Sequence, residues 1–210
     1  MATENENASE TNSNVTRGSG LLEAWLAKKR SVRANRLIPA QLRSGRILDI
    51  GCGSHPYFLA NTEFREKYSI DQIAMPPEIA ARHGIRHRTC NLNEDPRLPF
   101  DGCFFNAITL LAVVEHLNPD IAIQIFSEMH RMLCPGGVAV VTTPASWSDG
   151  LLHAMARIGL VSSEEIHEHA FAYSLPLLGA CLGKAGFGIR KLKFGYFEGW
   201  LNLWASAEKD

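Results

Sequence analysis

The sequence predicts an α/β fold around one mainly parallel sheet, and three of its features point to that fold. Short apolar runs alternate with helical apolar stripes along the chain, which is typical of a parallel sheet covered by helices. Residues 47–50 form a β-branched and leucine-rich run, typical of a buried parallel strand, and they end in a turn containing Gly51 and Gly53. Near the carboxyl end, residues 191–194 and 201–207 alternate in polarity, which predicts two paired antiparallel strands.

The composition of the 210 residues indicates one ordinary domain and limits its partners. An apolar content of 46% predicts a single domain over residues 21–210, whereas residues 1–20 are polar and are expected to be disordered. The formal net charge of −1 gives no reason to expect a nucleic-acid partner. No apolar run approaches the roughly 20 residues of a membrane span, so no integral membrane segment is expected. Five scattered cysteines and a polar amino-terminal stretch predict a cytoplasmic location.

An amphipathic helix is predicted over residues 21–36, before the first strand. Its apolar stripe faces one way, and four cations, Lys28, Lys29, Arg30 and Arg33, lie elsewhere on its surface. One interpretation is a solvated basic face on a helix that packs on the core. The other is a site for an anionic ligand.

The glycine turn after the first strand predicts a nucleotide-like ligand. Backbone N–H groups and bare Cα atoms at such a turn let a ligand come close, and glycine tolerates the positive φ that the turn needs. Dinucleotide-binding proteins carry a third glycine in the pattern G-x-G-x-x-G, but Pro56 stands at that position here. Asp49, an acid inside the strand, suits a cationic cofactor with an amino-acid group better than a dianionic one.

The segment Ile47-Leu48-Asp49-Ile50-Gly51-Cys52-Gly53 resembles the first motif of class I S-adenosylmethionine (SAM)-dependent methyltransferases. The segments Leu-Cys-Pro-Gly-Gly at 133–137 and Val-Val-Thr-Thr-Pro at 140–144 resemble the same family, and Glu-His-Leu at 115–117 resembles its small-molecule subgroup. The resemblance implies a Rossmann-like seven-stranded sheet in the order 3-2-1-4-5-7-6, with strand 7 antiparallel and helices on both faces. It also implies SAM as the cofactor.

The cofactor-binding residues are predicted from this motif and from the strands that follow it. The second strand ends at Asp71, 18 residues beyond Gly53, where a carboxylate can accept hydrogen bonds from both ribose hydroxyls. The resemblance implies that Asn91 binds the adenine amino group and that Leu92 packs on the ring, although Asn93 is close enough to compete for that role. The complete predicted set is Asp49, Gly51, Cys52, Gly53, Asp71, Asn91, Leu92, Ala112 and Glu115.

Three histidines, His116, His167 and His169, are the candidate catalytic residues. His116 follows the fourth strand at the ligand crevice and is either a general base or a residue that only holds its loop by a hydrogen bond. The other two lie in residues 145–172, a segment predicted to line or cover the substrate pocket, and either could deprotonate an acceptor hydroxyl. Their spacing does not place both rings on one helical face, so no metal site is expected.

The sequence therefore predicts a SAM-dependent methyltransferase that acts on a small-molecule, lipid or sugar-type acceptor, by O-, C- or N-methylation. A first alternative is a partner subunit with this fold and no catalysis, but the retained series of acids and glycines argues against it. A second is an NAD(P)-linked oxidoreductase. The missing third glycine and the lack of any Tyr-x-x-x-Lys motif argue against that class. The sequence does not define the acceptor or the oligomeric state.

Overall fold

Seven strands form one sheet in a computed structural model that describes residues 23–94, 96–147 and 171–210. The strands are β1 (Arg46–Ile50), β2 (Glu66–Asp71), β3 (Ile85–Thr89), β4 (Phe105–Leu111), β5 (Leu133–Pro144), β6 (Leu192–Phe197) and β7 (Asn202–Glu208). Their order in the sheet is β3-β2-β1-β4-β5-β7-β6, and β7 runs antiparallel to both of its neighbours. The predicted strand order and direction are confirmed.

Helices cover both faces of this sheet. In the described part of the chain they are α1 (Glu23–Leu37), α2 (Tyr57–Ala60), α3 (Pro77–His83), α4 (Pro119–Met132) and α5 (Leu175–Lys184), with short 3-10 turns at Ala40–Ser44, Val114–His116 and Ile189–Lys191. Buried residues of α4 and α5 pack on one face, and those of α1 and α2 pack on the other. Alternate residues of β5 serve the two cores, since Ala139 and Val141 join the first and Val138 and Val140 join the second. No helix among the described residues is long and apolar enough to cross a bilayer.

Two helices begin where side-chain caps predict that they begin. The Asn118 side chain accepts a hydrogen bond from the N–H of Asp120, ahead of Pro119 in the first turn of α4. Ser174 accepts one from the N–H of Leu177 at the start of α5. These caps satisfy N–H groups that have no partner inside the helix. Both helices therefore begin at the capped residues, near the carboxyl edge of the sheet.

Two elements are compared with what the sequence predicts. Residues 57–64 are predicted to begin the crossover helix, and α2 begins there at Tyr57 and covers four residues. Residues 134–137 were expected to form a turn before the fifth strand, but they lie within β5. The pairing of β4 with β5 shifts register between Phe105 and Ala107, which accommodates the extra residues as an irregularity in the ladder.

Parts of two predicted segments lie outside the described residues. These are the whole of the predicted tail, residues 1–20, and residues 148–170 of the predicted pocket segment. The domain boundaries derived from them stay predictions.

Candidate active site

A cavity of about 420 Å³ opens at the carboxyl ends of β1, β2 and β4. Ligands bind at this edge in open parallel sheets, because the strand ends and the loops after them form a crevice there. Eight of the nine predicted cofactor-binding residues line the cavity, and so does the candidate catalytic residue His116. The eight are Asp49, Gly51, Cys52, Gly53, Asp71, Asn91, Leu92 and Ala112.

The turn after β1 lies at the cavity wall, and its backbone conformation and packing both require glycine. Gly51 has a φ of 77° and Gly53 a φ of 67°, in the left-handed region that favours glycine. A Cβ atom on Gly51 would lie 2.2 Å from Cγ2 of Val113, another residue of the cavity wall. The turn therefore needs glycine both for its backbone conformation and for its packing.

Asp71 closes the turn from the side of β2. Its side chain is buried, and its Oδ2 atom accepts a hydrogen bond from the N–H of Gly53 over 2.8 Å. Its Oδ1 atom accepts one from the N–H of Ile73 over 2.9 Å. These two bonds hold the carboxylate at the cavity wall in a defined orientation.

Asp49 supplies a second buried carboxyl group at the same wall. The Thr109 hydroxyl donates a hydrogen bond to its Oδ1 atom over 2.6 Å. Burial raises the pKa of Asp49 to about 7, while the Thr109 bond lowers it and the nearby Asp71 raises it further. A cationic group placed in the cavity would favour the ionised form of this carboxyl group, so its charge state is open to control by a ligand.

The loop after β3 brings three predicted residues to the cavity. Leu92 is buried there, and Asn91 and Asn93 line the same wall. The Asn91 amide group takes part in bonds within its own loop, since it donates to Glu94 and accepts from the N–H of Asn93. Asn91 and Asn93 therefore both line the cavity, and the assignment of one of them to the adenine amino group stays a prediction.

The segment after β4 places two neighbouring residues, Glu115 and His116, differently with respect to the cavity. Ala112 has a φ of 55°, an unusual value for a residue with a Cβ atom, and the chain turns there so that His116 lines the cavity. Glu115 does not line it. Its side chain is buried, burial raises its pKa, and its Oε2 atom finds no hydrogen-bond partner in the described part of the chain.

Two further charged residues lie near the cavity: Arg30, which the sequence analysis left open as part of an anionic-ligand site, and Glu198, which it did not consider. Arg30 of α1 lines the cavity, and it lies close enough to Glu115 and Glu198 to lower the pKa of both. Glu198 lies in the turn between β6 and β7, where burial raises its pKa to about 7 and Asn202 donates a hydrogen bond to its Oε2 atom over 2.5 Å. Only the order of strands in the sheet brings this turn to α1, so no local signal predicts the contact.

The remaining catalytic candidates, His167 and His169, lie outside the described residues. Their roles stay predictions. Of the three predicted catalytic histidines, the structure places His116 alone, at the cavity.

A family model described as a methyltransferase domain matches residues 24–192. The chain belongs to this family. It is a SAM-dependent methyltransferase of class I, as the resemblance predicts, and SAM is its cofactor. A methyltransferase domain is not the domain of an NAD(P)-linked oxidoreductase, so the match decides against that alternative. The residues at the cavity fit the cofactor, because Gly51 and Gly53 adopt a turn conformation that lets a ligand approach the backbone, and the buried Asp49 carboxyl group suits a ligand that carries a positive charge.

Solved structures of methyltransferases share the fold. A SAM-dependent methyltransferase from Thermotoga maritima, described as a possible histamine N-methyltransferase, matches with a TM-score of 0.65 and 17% identity, over 87% of this chain and 88% of that chain. Phosphoethanolamine N-methyltransferase 2 from Haemonchus contortus, solved in complex with SAM, matches with a TM-score of 0.62 and 14% identity, over 86% of this chain and 52% of that chain. At these identities the likeness shows the fold alone.

Curated relatives of this methyltransferase carry a name that gives tRNA as the substrate. The Bos taurus protein named probable tRNA methyltransferase 9B is 32% identical over 118 residues, which are 55% of this chain and 25% of that protein. The Mus musculus and Homo sapiens proteins of the same name are 30% and 31% identical over the same length. The chain spans about a quarter of the length of these relatives.

These relatives correct one expectation of the sequence analysis. A small-molecule acceptor and no nucleic-acid partner were expected, and this is wrong in view of relatives named as tRNA methyltransferases. The expectation rested on the net charge of −1, which sums over the whole chain and hides local surpluses. Helix α1 alone carries five cations, Lys28, Lys29, Arg30, Arg33 and Arg36, against the single acid Glu23.

Proposed function

We propose that this enzyme transfers the methyl group of SAM to a nucleoside of an RNA, with tRNA as the first candidate. The observation that carries the proposal is the match over 118 residues to proteins named as probable tRNA methyltransferases. The basic helix α1 supports it, because Arg30 of that helix lines the cavity and cations attract the phosphates of a nucleic acid. A cytoplasmic location belongs to this proposal and is supported by five cysteines that are all free.

In this proposal, different residues at the cavity wall bind different parts of the cofactor. Gly51 and Gly53 let the cofactor approach the backbone, and Asp49 binds the positively charged amino-acid end. Asp71 accepts hydrogen bonds from the ribose hydroxyls, which its position at the end of β2 supports. Leu92 packs on the adenine ring, and an amide of the loop after β3 binds its amino group.

In the chemical step, the protein has to align the acceptor atom with the methyl group of SAM and to remove one proton. SAM supplies a methyl group on a positively charged sulfur atom, which is strongly electrophilic without further activation. The protein therefore contributes mainly by holding the acceptor atom in line with that methyl group. An acceptor that carries a hydrogen atom loses it as a proton, and His116 takes that proton in this proposal. Its place at the cavity supports this role.

The proposal is tested by transfer of a labelled methyl group to RNA. The protein is incubated with SAM labelled at the methyl group and with tRNA transcribed in vitro, which has no modifications. We expect label to appear in RNA and to disappear after treatment with ribonuclease. We expect Asp71→Ala to abolish this labelling. Glu78→Ala, a change at an exposed acid of α3, should leave it unchanged. Label in RNA no higher than with heat-inactivated protein, from a protein that binds S-adenosylhomocysteine (SAH), would reject the acceptor class.

A further inference from the structure

We propose that four exposed aromatic side chains, on segments that adjoin the cavity, bind single-stranded RNA by stacking on its bases. They are Trp25, Trp147, Phe171 and Trp200, and we call them the aromatic rim. The inference rests on the proposed function and adds to it the surface that holds the nucleotides next to the acceptor nucleoside.

The exposure of these side chains is the first observation. Trp200 is 71% exposed, Trp147 56%, Trp25 48% and Phe171 38%. Large aromatic rings contribute most when they are buried, and a group of them in contact with water marks a binding surface more often than a single one does. Their common position therefore matters more than the exposure of any one ring.

Backbone hydrogen bonds bring three of the four residues to one place. The N–H of Ser146 donates to the carbonyl of Tyr173 over 3.1 Å, and the N–H of Ala145 donates to the carbonyl of Leu201 over 2.8 Å. Trp147, Phe171 and Trp200 each lie one or two residues from these contacts. The end of β5, the segment before α5 and the turn between β6 and β7 thus present their aromatic side chains at the same end of the sheet.

Helix α1 brings the fourth residue and connects the rim to the cavity. The ammonium group of Lys29 lies 5.1 Å from the ring centre of Trp25, and the same lysine is close enough to Glu198 to lower its pKa. The N–H of Phe171 donates to the carbonyl of Glu115 over 3.1 Å, next to the cavity residue His116. The rim therefore lies on segments next to cavity-lining residues, with Trp25 on α1 near Arg30 and Phe171 bonded next to His116.

The turn that carries Trp200 adopts a conformation that costs free energy. Glu198, Gly199 and Trp200 have φ values of 54°, 63° and 74°, so three consecutive residues lie in the left-handed region and two of them carry a Cβ atom. Such conformations persist where the surrounding structure demands them, and they collect at binding and catalytic sites. Here the turn carries a tryptophan that is exposed to solvent.

Charge decides which occupant the rim suits. Lys28 and Lys29 are exposed on α1, and the ammonium group of Lys29 lies over the Trp25 ring, so the rim carries cations beside an aromatic side chain. Proteins that bind single-stranded nucleic acids combine a basic surface for the phosphates with aromatic side chains on which bases stack. A protein partner would need mainly apolar contact and is the competing occupant that the experiment must separate.

The experiment measures RNA binding by the full chain with SAH present. The probe is a fluorescein-labelled oligoribonucleotide of mixed sequence, about 12 nucleotides long, followed by fluorescence anisotropy and by quenching of tryptophan emission. We expect Trp200→Ala and Trp147→Ala each to weaken binding about ten-fold, and Trp200→Phe to retain most of it. The matched control is Ile189→Ala, since Ile189 is 82% exposed and lies before β6, at the opposite end of the sheet. None of these changes should alter the affinity for SAH.

Each other outcome rejects the aromatic rim and shows whether the proposed function survives. If Trp200→Ala and Trp147→Ala bind RNA as tightly as the wild-type protein does, then RNA is still the proposed acceptor but the aromatic rim does not bind it. Wild-type protein that binds SAH but no RNA would remove both proposals. A change of molar mass in sedimentation that depends on Trp200, without RNA binding, would assign the surface to a protein partner or to a second copy of this chain.

Discussion

The carboxylate of Asp71 accepts a hydrogen bond from the backbone N–H of Gly53 over 2.8 Å, and this bond ties the end of β2 to the turn after β1. The two residues are neighbours because β1 and β2 pair in parallel, from Arg46 with Glu66 to Ile50 with Ile70. The turn is therefore held in the conformation that receives the cofactor before the cofactor arrives, and less conformational entropy is lost on binding.

Asp71→Ala should weaken binding of SAH. The variant loses a charged hydrogen-bond acceptor at the cavity wall, and we expect a loss of about 1.5–3 kcal/mol of binding free energy, as for other hydrogen bonds to charged groups. Calorimetric titration of SAH into both proteins measures the difference. Glu78→Ala controls for loss of a carboxylate elsewhere, and equal affinities of Asp71→Ala and wild type would show that Asp71 does not contact the cofactor.

Gly51→Ala should cost more stability than the same change at Gly84. Both glycines have a positive φ, 77° and 62°, so alanine costs about 1–2 kcal/mol of backbone strain at each. At Gly84 nothing lies within 4 Å of the new Cβ atom, whereas at Gly51 it meets Val113 at 2.2 Å, which adds about 1–3 kcal/mol of overpacking. Urea unfolding compares the two variants. If both lose the same free energy of unfolding, then Val113 moves aside without cost.

Asp49→Asn should gain stability over wild type as the pH rises. In the folded protein the pKa of Asp49 is raised by burial from 3.8 to about 7, so the folded state keeps a proton that the unfolded state releases. That contribution to stability is complete below pH 4 and is lost as the pH rises to about 7. We expect the difference between the two proteins to change by about 2–4 kcal/mol in favour of the variant between pH 4 and pH 8.

Urea unfolding at four pH values across this range measures the effect of Asp49→Asn. Asp101→Asn, a change at an exposed aspartate, is the matched control and should follow the wild-type curve. A constant difference between Asp49→Asn and wild type at every pH would mean that Asp49 is ionised throughout.

Arg43→Lys should loosen the attachment of α1 to the rest of the domain. The guanidinium group donates to the Asn35 carbonyl over 2.9 Å and to the Thr62 hydroxyl over 3.0 Å, which joins α1 to the segment after α2. Lysine keeps the charge but cannot span both acceptors in this geometry, so we expect a loss of about 1–2 kcal/mol in the free energy of unfolding. Chemical denaturation of this variant, beside Arg82→Lys on the exposed surface of α3, checks the value.

The sequence predicts most of the strand ends and turns that line the cavity, because each of them carries a local signal. A β-branched run that ends in Gly51 and Gly53 predicts β1 and its turn, and a short run that ends in Asp71 predicts β2. Since parallel strands end at the same edge of a sheet, the meeting of these residues follows from the order of the strands. The structure confirms that order and places the residues around one cavity.

The contact between α1 and the turn before β7 joins segments that are distant in the chain. Arg30 reads as part of a basic helix face, solvated or at an anionic ligand, and Glu198 as part of a hairpin turn, and neither carries a pattern that relates it to the other. They approach each other because β7 lies between β5 and β6 and brings the last turn toward α1.

The central place of β7 in the carboxyl-terminal half of the sheet also sets the order in which a growing chain can fold. In the sheet, β6 pairs only with β7, and β7 lies between β5 and β6. Because β7 is the last strand in the chain, β5 and β6 are synthesised before the strand that pairs with both of them. Until then the apolar edge of β5, with Val138 and Val141, stands open to pairing with other chains. The half with the glycine turn can assemble during synthesis, and the half with Trp200 closes last, during the interval when protection by a chaperone has most effect.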